Sequence, residues 1–312
     1  DKNEFDVRVI LPYYTCIPDK YRKEFKYVHH FYMDYGMRIV GTHVGIMEYE
    51  YHGIKFYFVD NEYYFKCHTP YSNDLKWDIE RFTFFCKAVL AILPVINFKP
   101  DIIHCHDWQA GLIPVFLKST FASNPFYSST KSIMTIHNLR FQGIWDIDTF
   151  KFNTALPDYM FTPDKLEFQH AASMLKGGLV YADYITTVSE TYAEEIKYPF
   201  YGENLDGLLR ARTMSLRGIL NGIDYNLFNP ETDEQIYRKY SVKNFKSGKA
   251  ENKASLQKEL RLPVDKKKFM IAIISRLTDQ KGLDLVDYAI EKIADPNTQL
   301  VVIGTGEAKY EN

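Results

Sequence analysis

One pattern recurs along this chain. A short run of β-branched residues is followed by a polar or glycine-bearing loop and then by a helical pattern. Strands of this kind are predicted at 7–11, 101–104, 132–136, 184–188, 269–274 and 299–303. Strands that alternate with helices require a parallel sheet with right-handed crossovers. The pattern breaks near residue 216 and restarts near 269, which predicts two doubly wound, Rossmann-like α/β lobes with ligands in the cleft between them.

The length of 312 residues agrees with two domains of ordinary size. We assign residues 1–215 to an N-terminal lobe and 216–312 to a C-terminal lobe. Within the first lobe, 43–51 and 54–59 are expected to form a hairpin turned at His52-Gly53. Residues 78–93 have helical spacing, and Thr191-x-x-Glu194 is predicted to be a capping box that opens a helix.

Charge and composition exclude several classes of function. The net charge of −2 gives no electrostatic basis for binding nucleic acid or an anionic membrane. The longest apolar runs have the length of strands, and the polar start Asp1-Lys2-Asn3-Glu4 is not a signal peptide. We therefore expect a cytoplasmic protein. The four cysteines are spaced neither as a disulfide framework nor as a C-x-x-C metal site, so buried reduced thiols are expected.

The strongest local signal is the segment 275–282, Ser-Arg-Leu-Thr-Asp-Gln-Lys-Gly, here called the clamp loop. It follows a strand directly and precedes a helix. Arg276 and Lys281 are five residues apart, so their cationic groups could converge on one anion beside a helix N-terminus. This arrangement predicts a diphosphate site. The alternative is a solvated basic loop.

A second candidate segment, His104-Cys105-His106-Asp107-Trp108-Gln109, follows the strand that ends near Ile103. We predict that the two imidazoles point to opposite faces of the chain, which argues against a metal site. Asp107 could accept hydrogen bonds from sugar hydroxyl groups, and the indole of Trp108 could stack on a sugar. The alternatives are a helix cap for Asp107 and core packing for Trp108.

Four weaker signals lie near other strand ends. His137-Asn138 ends a strand, where the histidine could contact a sugar hydroxyl or support a pocket wall. Asn221-Gly222 could simply be a turn. The segment Asn61-Glu62-Tyr63-Tyr64 could be an exposed aromatic segment or, equally, a sheet edge. Gly304-Thr305-Gly306 resembles a phosphate-approach loop, although one G-x-G is weak evidence. No Walker motif or G-x-S-x-G elbow occurs.

Together, these segments resemble the bacterial glycogen synthase and starch synthase family. The matching segments occur in order along nearly the whole chain. They are 6–12, 58–65, 100–112 with the core His106-Asp107-Trp108-Gln109-Ala110-Gly111-Leu112, 135–139, 141–143, 187–189, 206–210, 218–224, 249–253, the clamp loop and 303–306.

The resemblance implies the two-lobed GT-B fold and the transfer of glucose from ADP-glucose to the non-reducing end of an α-1,4-glucan. It also implies that the α configuration is retained and that the reaction needs neither a metal nor a cofactor. Arg276 and Lys281 match the family's phosphate-binding pair, and His137 matches a residue beside the transferred glucose. The other residues that the resemblance places at the substrates are Asp107, Trp108, Gln109, Asn138, Tyr63, Asn221, Gly304 and Gly306.

The chain departs from the family at both ends. Members begin with an extra strand and a Lys-x-Gly-Gly-Leu loop, and they continue past residue 312 to a glutamate-bearing segment and a final helix. A sheet without that first strand should expose apolar edges, and we expect little or no synthase activity from this chain alone. Two alternatives remain, namely another GT-B glucosyltransferase and a non-catalytic glucan-binding relative. The preference for ADP- or UDP-glucose, the glycogen or starch product and the oligomeric state stay open.

Overall fold

The computed structural model describes residues 4–67, 69–293 and 295–311. It divides into two compact units, Asp1–Asn221 and Gly222–Asn312. The predicted lobe ranges and their roles at the substrates remain predictions.

The strands predicted from the sequence lie close to their predicted positions, and the structure adds the strands Lys26–Met33, Ile144–Trp145, Glu167–Phe168 and Ala171–Ser173. Their bounds are β1 Arg8–Pro12, β2 Lys26–Met33, β3 Thr42–Tyr51, β4 Ile54–Asp60, β5 Ile102–His106, β6 Lys131–Ile136, β7 Ile144–Trp145, β8 Glu167–Phe168, β9 Ala171–Ser173, β10 Tyr184–Thr187, β11 Leu216–Gly218, β12 Phe269–Ile274 and β13 Thr298–Ile303.

Helices connect most of these strands. Their bounds are α1 Asp19–Arg22, α2 Glu62–Phe65, α3 Leu75–Val95, α4 Leu112–Lys118, α5 Ile147–Thr154, α6 Met174–Tyr181, α7 Glu190–Glu195, α8 Asp206–Ala211, α9 Phe245–Glu259, α10 Leu283–Ile293 and α11 Ala308–Glu311. In the described part of the chain, no helix has both the length and the apolar character needed to cross a membrane.

The first unit contains two larger sheets, with strand orders β1-β4-β3-β2 and β11-β10-β6-β5. The second of these sheets is parallel throughout, as the alternation of strands and helices predicts. In the first, β1 pairs with β4 in parallel, whereas β3 pairs antiparallel with both β2 and β4. The hairpin is confirmed, and positive φ at both His52 (50°) and Gly53 (74°) is typical of a two-residue type I′ turn.

Helix α3 lies at the centre of the first unit's core. The sequence places its apolar residues along one side, but the structure also buries residues on its other sides, such as Thr83, Phe84 and Cys86. Its N-terminus is capped by the side chain of Asp74, which accepts a hydrogen bond from the backbone N of Trp77.

The predicted capping box at Thr191 is wrong. Helix α7 begins at Glu190, and its N-cap is Ser189, whose Oγ accepts a hydrogen bond from the backbone N of Tyr192 at 3.2 Å. Ser189 has extended backbone angles at the end of the preceding strand, as an N-cap requires. Thr191 already lies inside the first turn.

The two larger sheets of the first unit each present an edge strand to one trough. Strand β1 is the edge of one sheet and β5 is the edge of the other, and residues of both line a trough of about 910 Å³. Apolar side chains of α3, among them Phe82, Phe85 and Val89, form its floor. Apolar side chains of both edge strands, such as Ile10 and Ile103, thus line the trough.

In the second unit, β12 and β13 pair in parallel, and α10 follows the clamp loop. Helix α9 packs its buried Gln257 against β13, where Gln257 Nε2 donates to Gln299 Oε1 at 2.7 Å. Both amides also bind backbone carbonyls of the 263–265 turn. This buried amide pair joins the helix to the sheet that carries the clamp loop.

Candidate functional site

In the first unit, the carboxyl ends of β5 and β6 bring several of the predicted site residues together. The two strands are in parallel register, with His106 opposite Thr135, and the backbone N of Asp107 donates to Thr135 O at 2.9 Å. One carboxylate oxygen of Asp107 accepts hydrogen bonds from the backbone N of His137 at 2.8 Å and of Asn138 at 3.4 Å. Asp107 therefore ties the end of β6 to the end of β5.

Asp107 also has an unusual backbone conformation, with φ at 55° and ψ at −175°. Few non-glycine residues adopt this region, and such strain is often found at functional sites. Its side chain makes no capping hydrogen bond to the following 3₁₀ turn, Trp108–Ala110. The helix-cap alternative is therefore wrong, and the carboxylate faces the β6 end instead.

The prediction that His104 and His106 point to opposite faces is also wrong. Side chains two residues apart on a strand lie on the same face, and the centroids of these two rings are 4.3 Å apart. His104 Nε2 bonds to Thr135 Oγ1 at 2.6 Å, while His106 Nδ1 lies 3.0 Å from His137 Nε2. Burial and the neighbouring His104 and His137 lower the pKa of His106 to about 4.

This cluster does not have the arrangement of a metal centre. Among the residues that the structure describes, no group of three or more His, Cys, Asp or Glu side chains could hold a metal ion. His106 was missed as a partner of His137 because it was assigned to the wrong face. The two-residue period of a strand, applied correctly, would have placed it beside His104 and next to the neighbouring strand's end.

Trp108 is a core residue in this structure and not an exposed stacking surface. It is 6% exposed, and its ring meets Phe82 edge to face with 5.3 Å between centroids. Gly143 also packs against the indole, where a Cβ would lie only 2.3 Å from Trp108 Cε3. Core packing, the alternative considered for Trp108, is what the structure shows, and it explains why Gly143 must be small.

The other predicted residues of the first unit are more dispersed. Gln109 lines the trough together with Asp107 and His137, whereas Tyr63 and Asn138 do not. Tyr63 is 70% exposed on α2 and packs edge to face with Tyr64 and Trp77. Asn138 Oδ1 accepts from the backbone N of Arg140. Asn221 is exposed and is the last residue of the unit.

The clamp loop has the predicted strand–loop–helix context. Strand β12 ends at Ile274, a 3₁₀ turn spans Asp279–Lys281, and α10 begins at Leu283 after Gly282 with φ at 68°. Leu277 and Leu283 are buried and hold the loop to its unit. Arg276 and Lys281 are exposed, and within the described residues neither side chain forms an ion pair or a hydrogen bond. Both cations are therefore available to a ligand.

The glycines Gly304 and Gly306 hold the clamp loop by close backbone contact. A Cβ on Gly304 would lie 1.9 Å from Ser275 O, and one on Gly306 would lie 2.1 Å from Leu277 O. The backbone N of Leu277 donates to Thr305 O at 2.9 Å, and that of Glu307 donates to Leu277 O at 2.8 Å. These glycines thus support the loop, and their proposed contact with the substrate stays a prediction.

Three polar side chains, which the sequence does not indicate, hold the side of the clamp loop. Asp279 Oδ1 accepts hydrogen bonds from Lys309 Nζ and from Tyr310 OH, both at 2.5 Å. These contacts tie the clamp loop to the segment around α11. No short-range pattern in the sequence indicates this contact, since the partners are 30 residues apart.

Comparisons with known proteins agree with this geometry, and the class they define is the GT-B fold with two Rossmann-like units. The catalytic domain of starch synthase IV from Arabidopsis thaliana, solved with ADP and acarbose, matches with a TM-score of 0.87 and 27% sequence identity. The match covers 99% of this chain and 63% of that one.

A family model described as the starch synthase catalytic domain matches residues 1–211. The chain therefore belongs to the starch synthase catalytic domain family. It is 58% identical over 315 aligned residues to a glycogen synthase of Lachnospira eligens and 55% identical over 312 residues to one of Lachnoclostridium phytofermentans. In both cases the match covers 100% of this chain and 65% of the relative, so the chain spans just under two thirds of these relatives' length.

Proposed function

We propose that this chain carries most of the donor and acceptor machinery of a glycogen or starch synthase. The reaction is transfer of glucose from ADP-glucose to the non-reducing end of an α-1,4-glucan, with retention of configuration. The observation that carries the proposal is the pair of exposed cations Arg276 and Lys281 on a strand–loop–helix junction, whose side chains form no ion pair or hydrogen bond within the described residues. The chain that carries them is 58% identical to a glycogen synthase.

The clamp loop would bind the diphosphate of the donor. Arg276 offers a planar fork of donors and Lys281 a point charge, and both suit phosphate oxygens. Since charge grows on the leaving diphosphate as the glycosidic bond breaks, cations held there lower the barrier to its departure. The structural relative bound to ADP is consistent with a nucleotide diphosphate at this junction.

We assign residues 216–312 to the nucleotide-sugar side and 1–215 to the acceptor side. The clamp loop and its supporting glycines all lie in the unit Gly222–Asn312, whereas Asp107 and His137 lie in the unit Asp1–Asn221. Asp107 supports the acceptor side through the backbone of His137. Trp108 supports it from the core.

Retention can be explained without a protein nucleophile. The sequence does not offer a pair of carboxylates in the acid and nucleophile arrangement of a glycosidase. The carboxylate of Asp107 binds the backbone of His137 and Asn138 instead. In the front-face route, the departing diphosphate oxygen accepts the proton of the acceptor hydroxyl, which attacks on the same face. Arg276 and Lys281 then stabilise the leaving group throughout.

The test is a substitution in the full-length gene product. Lys281→Ala should lower kcat with ADP-glucose by about 100- to 1,000-fold, the effect of removing one group that stabilises transition-state charge. Glucan affinity should change little, because the acceptor lies on the other unit. Lys246→Ala, which removes an exposed lysine from α9 in the same unit, is the matched control and should leave kcat unchanged.

Normal turnover of the Lys281→Ala enzyme would refute the clamp. The choice of donor is tested separately by calorimetric titration of the same protein with ADP-glucose and with UDP-glucose. Tighter binding of ADP-glucose is expected, and a preference for UDP-glucose would move the protein to the alternative class of GT-B glucosyltransferases.

A further inference from the structure

His137 is held at two points by consecutive residues at the end of β5. Its backbone N donates to Asp107 Oδ1 at 2.8 Å, and its ring Nε2 lies 3.0 Å from Nδ1 of His106. The two ring centroids are 5.2 Å apart. Both the position of the backbone and the orientation of the ring therefore depend on the β5 end.

The direction of the ring hydrogen bond follows from what each nitrogen can do. A neutral imidazole has one donor and one acceptor nitrogen, whereas a protonated imidazole has two donors and no acceptor. If His137 donates from Nε2, the bond persists whether His137 is neutral or protonated. If His106 donated instead, the bond would break each time His137 took up a proton.

His106 is suited to the accepting role. Burial, His104 and His137 lower its pKa to about 4, so its ring stays neutral at physiological pH. His104 faces it from the same strand at 4.3 Å, but the Nε2 of His104 is bonded to Thr135 Oγ1. Asp107 on the other side is bonded to the backbone of His137.

We propose that His106 is a positioning residue, which accepts a hydrogen bond from Nε2–H of His137 and so directs the free Nδ1 of His137 toward a ligand hydroxyl group. Within the described residues, the ring of His137 makes no other hydrogen bond, and the ring is exposed and lines the trough. That the hydroxyl belongs to a sugar rests on the function proposed above. The hydrogen bond between the histidines does not depend on it.

The tautomer of His137 can be measured directly on the full 312-residue chain. With ¹⁵N-labelled histidine, long-range ¹H–¹⁵N correlation spectra at neutral pH report which ring nitrogen carries the proton. We expect His137 to be protonated at Nε2 in the unsubstituted chain. His106→Phe, which removes the acceptor but keeps a ring, should reduce that preference by about twofold to tenfold, the effect of losing one hydrogen bond.

Two further variants separate positioning from general packing. His106→Gln retains an acceptor oxygen and should restore part of the preference. His104→Gln changes the neighbouring imidazole on the same face, which is bonded to Thr135 and not to His137, and should leave the tautomer ratio of His137 unchanged.

A dominant Nδ1–H tautomer of His137 in the unsubstituted chain would overturn the proposal, even if no variant folded. An unchanged tautomer ratio in a folded His106→Phe chain would overturn it as well. Titration with maltoheptaose should shift the Nδ1 resonance of His137, and the absence of a shift at saturation would refute the hydroxyl contact. None of these results requires glucosyl transfer, so failure of the synthase assay remains a separate outcome.

Discussion

The buried ion pair between Arg81 and Asp78 on α3 gives the clearest stability prediction. Arg81 is 1% exposed as a residue and Asp78 is 4% exposed. Arg81 Nη2 lies 2.7 Å from Asp78 Oδ1, and Nε of the same guanidinium donates to that oxygen at 2.8 Å. The pair also anchors the loop before α3, because Arg81 donates to Pro70 O and Asp78 accepts from Ser72 Oγ.

Removing only the cation leaves a carboxylate buried without its partner. Such a change costs about 3–5 kcal/mol, which is much more than the net value of an intact pair. We therefore expect Arg81→Ala to lower the free energy of unfolding of the first unit by about that amount. Urea unfolding followed by circular dichroism, with the two transitions fitted separately, measures the change.

The double variant Arg81→Met/Asp78→Asn tests the cause. It removes both charges and keeps similar volumes, so it should be more stable than Arg81→Ala. Glu194→Ala is the control, because Glu194 on α7 pairs with Lys197 beyond the end of that helix and its side chain is 70% exposed. That change should stay within about 0.5 kcal/mol. A loss below about 1 kcal/mol for Arg81→Ala would refute the argument from burial.

Two further predictions concern the clamp loop and the cysteines. Gly306→Ala should destabilise the second unit, because the new Cβ would lie 2.1 Å from Leu277 O. The urea transition of that unit should have a lower midpoint, and an unchanged midpoint would contradict the prediction. In a thiol-modification time course at pH 8, exposed Cys16 should react first, whereas Cys86 and Cys105 should react only after unfolding, because both are buried and burial raises their pKa values. Fast modification of Cys105 in the folded chain would contradict this order.

The sequence predicts much of the fold because the period of a strand or a helix is a pattern of many residues, and one atypical residue does not hide it. The hairpin at His52-Gly53, the parallel strands and the junction at the clamp loop each depend on several residues that agree. Cysteine burial depends on one position at a time. It was predicted for all four thiols and is wrong for Cys16, which is exposed, and for Cys67, which is partly buried.

Helix boundaries and the contacts of single side chains are harder to predict from sequence, because each depends on one or two residues. Thr191-x-x-Glu194 satisfies the capping pattern, yet Ser189 two residues earlier is the N-cap because β10 ends at Thr187 and leaves Ser189 extended. The contacts that brace the clamp loop join residues about 30 positions apart. A local sequence pattern does not show which distant residue will contact the clamp loop.

The candidate site of the first unit illustrates both cases within three consecutive residues. Strand β5 ends at His106, whose ring shares a face with His104 and meets the end of the neighbouring strand. The positive φ of Asp107 then turns the chain, so its carboxylate points to the backbone of His137. After that turn Trp108 enters the core against Phe82. The strained Asp107 thus lies between His106, whose ring contacts His137, and Trp108, which stabilises the fold. A sequence pattern that does not show this turn assigns Asp107 and Trp108 alike to the ligand.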